Sequence, residues 1–324
     1  MLFLPQTFAM TENQCIFALT ITGLLTKKVS YLYMAKILVT GGSGFVGSRI
    51  VKRWSGEYEI LAPQHHEMDI TDAAAVMQYC RAHKPDVIVH TAAISNTGYC
   101  EEHPEESLRV NATAAIGLAE AAAEIGAKFI FFSSDQIYNG NREQGLLYED
   151  IDVAPVNHYG RHKLLAEQGI MELLPDAVLL RATWMYDLPA EGLPAHPNFI
   201  TNLLNAASTG QPLRFAIHEH RGITDVCEVV EYLPKTFELP GGIYNYGAEN
   251  ELNTYETALR FVKDWQGEET AKSIVVPDTE RFAQQPRNIS ISTDKVTALS
   301  LGEIAFTDTL EGLKRFVQEN HLSE

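Results

Sequence analysis

Eight residues, TGGSGFVG (40–47), constrain this chain more than any other stretch. They follow a short apolar run, KILVT (Lys36–Thr40), and lead into an amphipathic segment that continues to about Trp54. Gly41, Gly44 and Gly47 are spaced G-x-x-G-x-x-G, and Gly42 also allows a G-x-G-x-x-G reading. Glycine permits positive φ and a close approach of ligand to backbone. A helix opening at the turn offers unpaired amides and a positive dipole end to phosphate. Strand, glycine turn and helix in this order are the context the dinucleotide fingerprint requires. The turn therefore marks Gly41, Gly44, Phe45, Val46 and Gly47 as candidate contacts to a dinucleotide.

The rest of the first half repeats the alternation. Strands are expected at 59–62 (EILA), 86–93 (DVIVHTAA), 128–134 (KFIFFSS) and 177–183 (AVLLRAT). Helical stretches separate them: one from about Thr71, read as an N-cap, to His83, an Ala-rich one over 105–125, and one carrying Lys163. Short apolar strands alternating with helices predict a parallel sheet covered on both faces, an α/β doubly wound Rossmann-type fold. Beyond Thr183 the pattern loosens, and 188–197 is proline-rich. We expect a dinucleotide-binding domain over 34–186 and a smaller C-terminal substrate-binding lobe over 187–324, with some return to the sheet. Residues 1–33 do not share the strand–helix alternation that begins at Ala35. Their apolar run IFALTITGLL is too short to span a bilayer and lacks a preceding basic region, so Met34 reads as the functional start.

Tyr159 and Lys163 form Y-x-x-x-K, a spacing that puts both on one helix face. A free tyrosine has a pKa of about 10. A neighbouring cation lowers it, which suits the phenol to exchange a proton with a carbonyl oxygen. The matching hydride must come from a nicotinamide, since no side chain supplies one. Ser134 closes the fourth strand, where ligands of open parallel sheets bind, and is the candidate third catalytic group, with Ser133 competing. Thr183 and Trp184 follow the fifth strand and are expected beside the nicotinamide and substrate.

After the second strand the chain reads APQHH (62–66), with no acid at the tip to bond the adenosine ribose. Gln64 would not repel a 2′-phosphate and His65 could pair with one, so NADP(H) is favoured, with NAD(H) as the alternative. Glu67 stands close enough to compete. Asp69 and Ile70 are candidates for the adenine edge, with helix capping the other reading of Asp69. His65-His66 has no accompanying metal-ligand set, and no metal is expected.

The net charge of −17 argues against nucleic-acid or anionic-membrane surfaces. Cys15, Cys80, Cys100 and Cys227 form no C-x-x-C pair and read as reduced thiols of a cytoplasmic protein. Arg181, Arg221 and Arg287 are the cationic candidates for a substrate diphosphate.

TGGSGFVG, HTAA, SSD and YGRHK together resemble the extended short-chain dehydrogenase/reductase family, over about 35–317. EMDITD (67–72), KPDVIVHTAA (84–93), SSDQIYNG (133–140), YGRHKLLAEQ (159–168), LLRATWMY (179–186) and QPRNISISTDK (285–295) look most like its dTDP-4-dehydrorhamnose reductase branch. The resemblance implies that Ser134, Tyr159 and Lys163 are catalytic and that Lys163 also bonds the nicotinamide ribose. It implies that Ala92 and Ala93 line the cofactor path, and that Asn111 lies in the helix beneath it. Asp135 and Gln136 are then expected at the substrate, together with Trp184, Arg221 and Arg287. A homodimer is a family-level expectation. The chain departs from the branch where Gly98 and Tyr99 replace an Asp-Lys pair, and at Gln136, Tyr138 and Asn139. An NADP(H)-dependent reductase of a keto-sugar, nucleotide-linked, is the leading expectation. The alternatives are a nucleotide-sugar epimerase or dehydratase that retains NAD, and an NADP-binding regulatory subunit like that of methionine adenosyltransferase.

Overall fold

In the first half of the chain, the inner strands are mostly apolar because both of their faces are covered. The computed structural model describes residues 35–194 and 196–322; the expectations for residues 1–33 lie outside them. In order come β1 (Lys36–Thr40), α1 (Phe45–Trp54), β2 (Glu59–Leu61), α2 (Ala73–His83), β3 (Val87–His90), α3 (Thr97–Glu102) and α4 (Pro104–Leu108). A π turn (Arg109–Thr113) leads to α5 (Ala114–Ile125) and β4 (Lys128–Ser134). A 3₁₀ turn (Asp135–Tyr138) precedes α6 (His158–Leu173), β5 (Val178–Ala182) and β6 (Trp184–Tyr186). Then come α7 (Phe199–Thr209), β7 (Leu213–Ala216), β8 (Glu219–Arg221), β9 (Ile223–Asp225), α8 (Val226–Tyr232) and β10 (Gly242–Tyr246). The chain continues through α9 (Thr254–Gln266), α10 (Glu268–Ile274), β11 (Val275–Asp278), β12 (Arg287–Ile289), α11 (Asp294–Leu299) and α12 (Thr309–Glu319).

The main sheet is parallel, in the order β10-β5-β4-β3-β1-β2, and the fold is the Rossmann-type α/β architecture that the alternation predicts. Period-two geometry sends alternate residues to opposite faces. Ile37, Val39, Val87, Val89, Ile130 and Leu180 pack under α1 and α8. Leu38, Ile88, Phe129, Phe131 and Leu179 pack under α2, α5 and α6. Alanines 115, 119 and 122 let α5 lie close, and at Gly169 a Cβ would meet Ile116 Cδ1 at 2.5 Å. A third core, built on Phe199, Leu203, Phe261, Leu313 and Phe316, holds the C-terminal lobe. Among the described residues no helix is long and apolar enough to cross a membrane.

One local expectation needs correction. Asp72, not Thr71, caps α2, its carboxylate accepting the amides of Ala74 and Ala75; Thr71 instead donates to Asp69. The Ala-rich stretch is helical throughout 105–125, as expected, with a π segment (Arg109–Thr113) inside it. The π turn widens it so that Asn111 reaches Ile94, accepting its N–H and donating to its carbonyl, both at 3.0 Å. One side chain thus satisfies the loop leaving β3, which aims at the cavity along the carboxyl edge of the sheet.

Asp225 caps α8 through the Cys227 amide. Burial pushes its carboxyl up to about 6, with Asp187 and Glu228 adding repulsion. Below the ordinary value of 3.8 the group is protonated in folded and unfolded chains alike. Stability is therefore lost as pH rises from 3.8 to about 6 and levels off above that, by on the order of 3 kcal/mol in all. Asparagine keeps the cap without the charge. Asp225→Asn should raise the melting temperature at pH 8 and leave it nearly unchanged at pH 4, checked by thermal unfolding at both.

Candidate active site

Parallel strands deliver their carboxyl ends to one edge. Thr40 pairs in register with His90, and Ser134 with Ala182. The residues next after these four ends, Gly41, Thr91 to Ala93, Asp135, and Thr183 to Trp184, all line one cavity of about 920 Å³. The lobe closes its far side with Arg214, Glu219, Arg221, Thr254, Arg281 and Arg287.

At one end lies the glycine turn. Gly41 has φ +74°, and a Cβ there would stand 2.7 Å from the Ala92 amide nitrogen. A Cβ on Gly47 would stand 2.1 Å from the Gly41 carbonyl oxygen. Both positions therefore exclude side chains. Gly44 opens α1 with no side-chain cap, leaving the first-turn amides open to an anion. Phe45 and Val46 also line the cavity. These residues fit a dinucleotide pyrophosphate.

A strap crosses this end, which the sequence did not announce. Arg49 on α1 pairs with Asp187 at 2.7 Å, donates to the Phe45 carbonyl at 2.8 Å, and lies over the Phe45 ring at 4.0 Å. The other side of the strap brings the His196 ring within 4.3 Å of Phe45. The only clue was a basic residue on the apolar-facing side of α1.

Gln64, His65, Asp69 and Ile70 do not line the cavity. The turn after β2 is tied by the Gln64 amide donating to Glu67, and His65 is exposed beside Asp69 at 3.7 Å. Asp69 is engaged by the amide and hydroxyl of Thr71, which hold its carboxyl below the usual range. Ile70 packs on the core under α2. Ala62 lies close to the glycine turn: a Cβ built on Gly42 would stand 2.8 Å from its Cβ.

At the centre are Ser134, Tyr159 and Lys163, all buried and all lining the cavity. Asn157 caps α6 by accepting the Gly160 amide, which fixes the turn that carries Tyr159. Gly160 is required there: a Cβ would meet the Gln136 carbonyl oxygen at 2.4 Å. The expected electrostatics are reversed. Burial raises the Tyr159 phenol well above its ordinary value, opposed by a hydrogen bond with Ser134 and reinforced by Asp135. Lys163 does not offset this, because its ammonium donates to the Phe132 carbonyl at 2.8 Å and sits 5.9 Å from the tyrosine ring centroid. Burial lowers Lys163 itself to about 7. His90, buried and bonded to Thr40 at 2.6 Å, is pushed down to about 3 and stays neutral.

The far end is charged and largely paired. Arg221 bridges Asp135 at 3.1 Å and lies over the Trp184 ring at 4.9 Å. Arg287 pairs with Glu219, which also accepts from Thr254. Glu219 was not foreseen, although its spacing of two from Arg221 on a strand puts both on one face. Arg214 and Arg281 add two more exposed cations. Thr183 lines the cavity but bonds the Thr224 hydroxyl. Gln136 lines it while accepting from Asn139 and Asn157. Arg181 is misplaced by the sequence reading. It lies away from the cavity, paired with Glu167 at 2.7 Å and bonded to Tyr138 at 2.8 Å, so it is no phosphate ligand.

The chain is similar to the spore coat polysaccharide biosynthesis protein SpsK of Bacillus subtilis, 28% identical over 287 residues, covering 88% of this chain and 98% of the relative. It is also similar to methionine adenosyltransferase 2 subunit beta of Pongo abelii, 24% identical over 288 residues and 83% of each chain. Among solved structures, dTDP-4-dehydrorhamnose reductase of Bacillus anthracis in complex with NADP superimposes with a TM-score of 0.74 at 22% identity, covering 88% of this chain and 99% of that one. The family model described as the RmlD substrate binding domain matches residues 35–321, and the chain belongs to that family.

Proposed function

We propose that the protein is an NADP(H)-dependent reductase of a keto-sugar carried on a nucleoside diphosphate. One observation carries this reading: the glycine turn, the Ser134–Tyr159–Lys163 group and the arginines of the lobe line a single cavity. Gly41, Gly44 and Gly47 would hold the pyrophosphate, and Lys163 the ribose next to the nicotinamide. The nicotinamide, when bound, supplies the hydride. Tyr159 gives its proton to the oxygen of the reduced carbonyl, and Ser134 donates a hydrogen bond to that oxygen. Arg221 and Arg287 bind the substrate's phosphates. The solved relative of Bacillus anthracis was obtained with NADP, which supports the same choice here.

A phenol raised by burial is protonated at neutral pH, the form that donates to a carbonyl oxygen in a reduction. The likeness to the methionine adenosyltransferase subunit keeps the regulatory reading in view. A panel of nucleotide-sugar ketones, dTDP-4-dehydrorhamnose among them, should oxidise NADPH in step with alcohol formation, followed at the cofactor's absorbance. NADPH should be used in preference to NADH. Epimerised product without net NADPH loss would overturn the reading, and so would binding of NADPH with no turnover of any ketone.

A further inference from the structure

Asp135 joins two parts of the cavity that the proposed reduction treats separately. Its Oδ1 accepts the Ser134 hydroxyl at 3.2 Å, and its Oδ2 accepts Arg221 Nη2 at 3.1 Å. Ser134 in turn hydrogen-bonds Tyr159. A serine has one proton to donate. While that proton points at an ionised Asp135, Ser134 can accept from Tyr159 but cannot donate to a carbonyl oxygen.

The charges around Asp135 balance. Arg221 and Glu219 face it from β8, and Arg287 from β12; Arg287 pairs with Glu219, and Arg221 lies 3.8 Å from it. All four side chains are at most 13% exposed. Tyr159 and Lys163 face the same space from α6. Arg281, and Arg214 with its partner Asp278 at 3.6 Å, stand further out. Two acids and two arginines thus make a buried cluster of zero net charge. An anion seated on Arg221 leaves it with a surplus negative charge where water screens poorly. The surplus is relieved by taking up a proton. Asp135 is the acid suited to it, since burial raises its carboxyl while the two arginines hold Glu219 below its usual range. A protonated Asp135 accepts the Ser134 hydroxyl more weakly, and a proton on Oδ1 can itself donate to Ser134 Oγ, which frees the serine proton.

We propose that Asp135 is a positioning residue through which an anionic group of the substrate, docked on Arg221, turns the Ser134 hydroxyl towards the reacting carbonyl. This rests on the reductase reading and deepens it. A keto-sugar without phosphate then loses turnover as well as affinity, so the cavity selects its substrate class in the chemical step.

Calorimetric titration of the NADPH-loaded protein with dTDP, in two pH 7 buffers of different ionisation enthalpy, counts the protons exchanged. The wild type should take up roughly one proton per site at saturation. Asp135→Asn should still bind dTDP but without that uptake. In turnover it should lower kcat about tenfold and shift KM by less than about threefold. Binding to the wild type with no proton uptake overturns the proposal, as does uptake that persists in Asp135→Asn. Failure of the wild type to bind dTDP removes the nucleotide-sugar reading, and the proposal with it. If that variant does not fold, Lys163→Met, which removes the other cavity group that titrates near neutrality, should keep the uptake, and its loss there overturns the proposal.

Discussion

Tyr159→Phe is expected to lower turnover by about 10²–10⁴-fold, the usual worth of a positioned general acid, with NADPH affinity near normal. The lost hydroxyl is buried and bonded to Ser134, while the ring packs in the cavity wall and is kept. Stopped-flow turnover and a fluorescence titration with NADPH separate the two effects. Unchanged turnover would refute the proton-donor role. Lys163 sharpens the test because its burial leaves it near neutrality, at about 7. Binding an anionic coenzyme favours the charged lysine, so NADPH affinity should fall as pH rises through 7 in both wild type and Tyr159→Phe. If the two proteins differ in that pH dependence, the phenol and not the lysine governs it.

The second large effect lies outside the cavity. Arg181→Gln is expected to destabilise the protein by about 3–5 kcal/mol, because it leaves the Glu167 carboxylate buried without its partner. Arg181 and Glu167 side chains are 3% and 1% exposed, and the guanidinium also supports Tyr138, whose hydroxyl donates to Asn245 on β10. Arg181→Met with Glu167→Leu removes both charges and should recover most of the loss. Denaturant unfolding measures the first effect. In the double variant, affinity for a nucleoside diphosphate should match wild type. A selective loss of that affinity would restore Arg181 as a phosphate ligand.

The contrast between Arg181 and Arg221 shows what a sequence can reveal. Both are arginines near strand ends. Arg181 sits inside an apolar run, LLRAT, and such a residue needs a buried acid, but Glu167 belongs to a different segment and its role depends on packing. Arg221 has Glu219 two residues away, a local signal of a shared face. Strands β1, β3, β4 and β5 were readable because burial on both faces keeps them mostly apolar, and β2, half-exposed at the sheet edge, from its place between two helical stretches. Strand β10, GIYNY, was not, since it carries a buried asparagine that bonds Tyr138 and two backbone carbonyls. The glycine turn was readable because its sterics are local. The proton states of Tyr159 and Lys163 were not, because they depend on depth of burial and on which carbonyl the lysine meets. Neither has a spacing signature.

Strand β10 also limits how this chain can be taken apart. It pairs with β5 along its whole length, and Tyr244 and Tyr246 enter the core beneath α1 and α8. The polypeptide leaves the sheet after β5, builds part of the lobe, returns to finish the sheet, and leaves again. Truncation near residue 186 would strip the β5 edge and expose its backbone groups. The lobe is therefore an interleaved partner of the sheet and cannot be grafted in one piece. A new specificity in this scaffold has to arise by substitution in place.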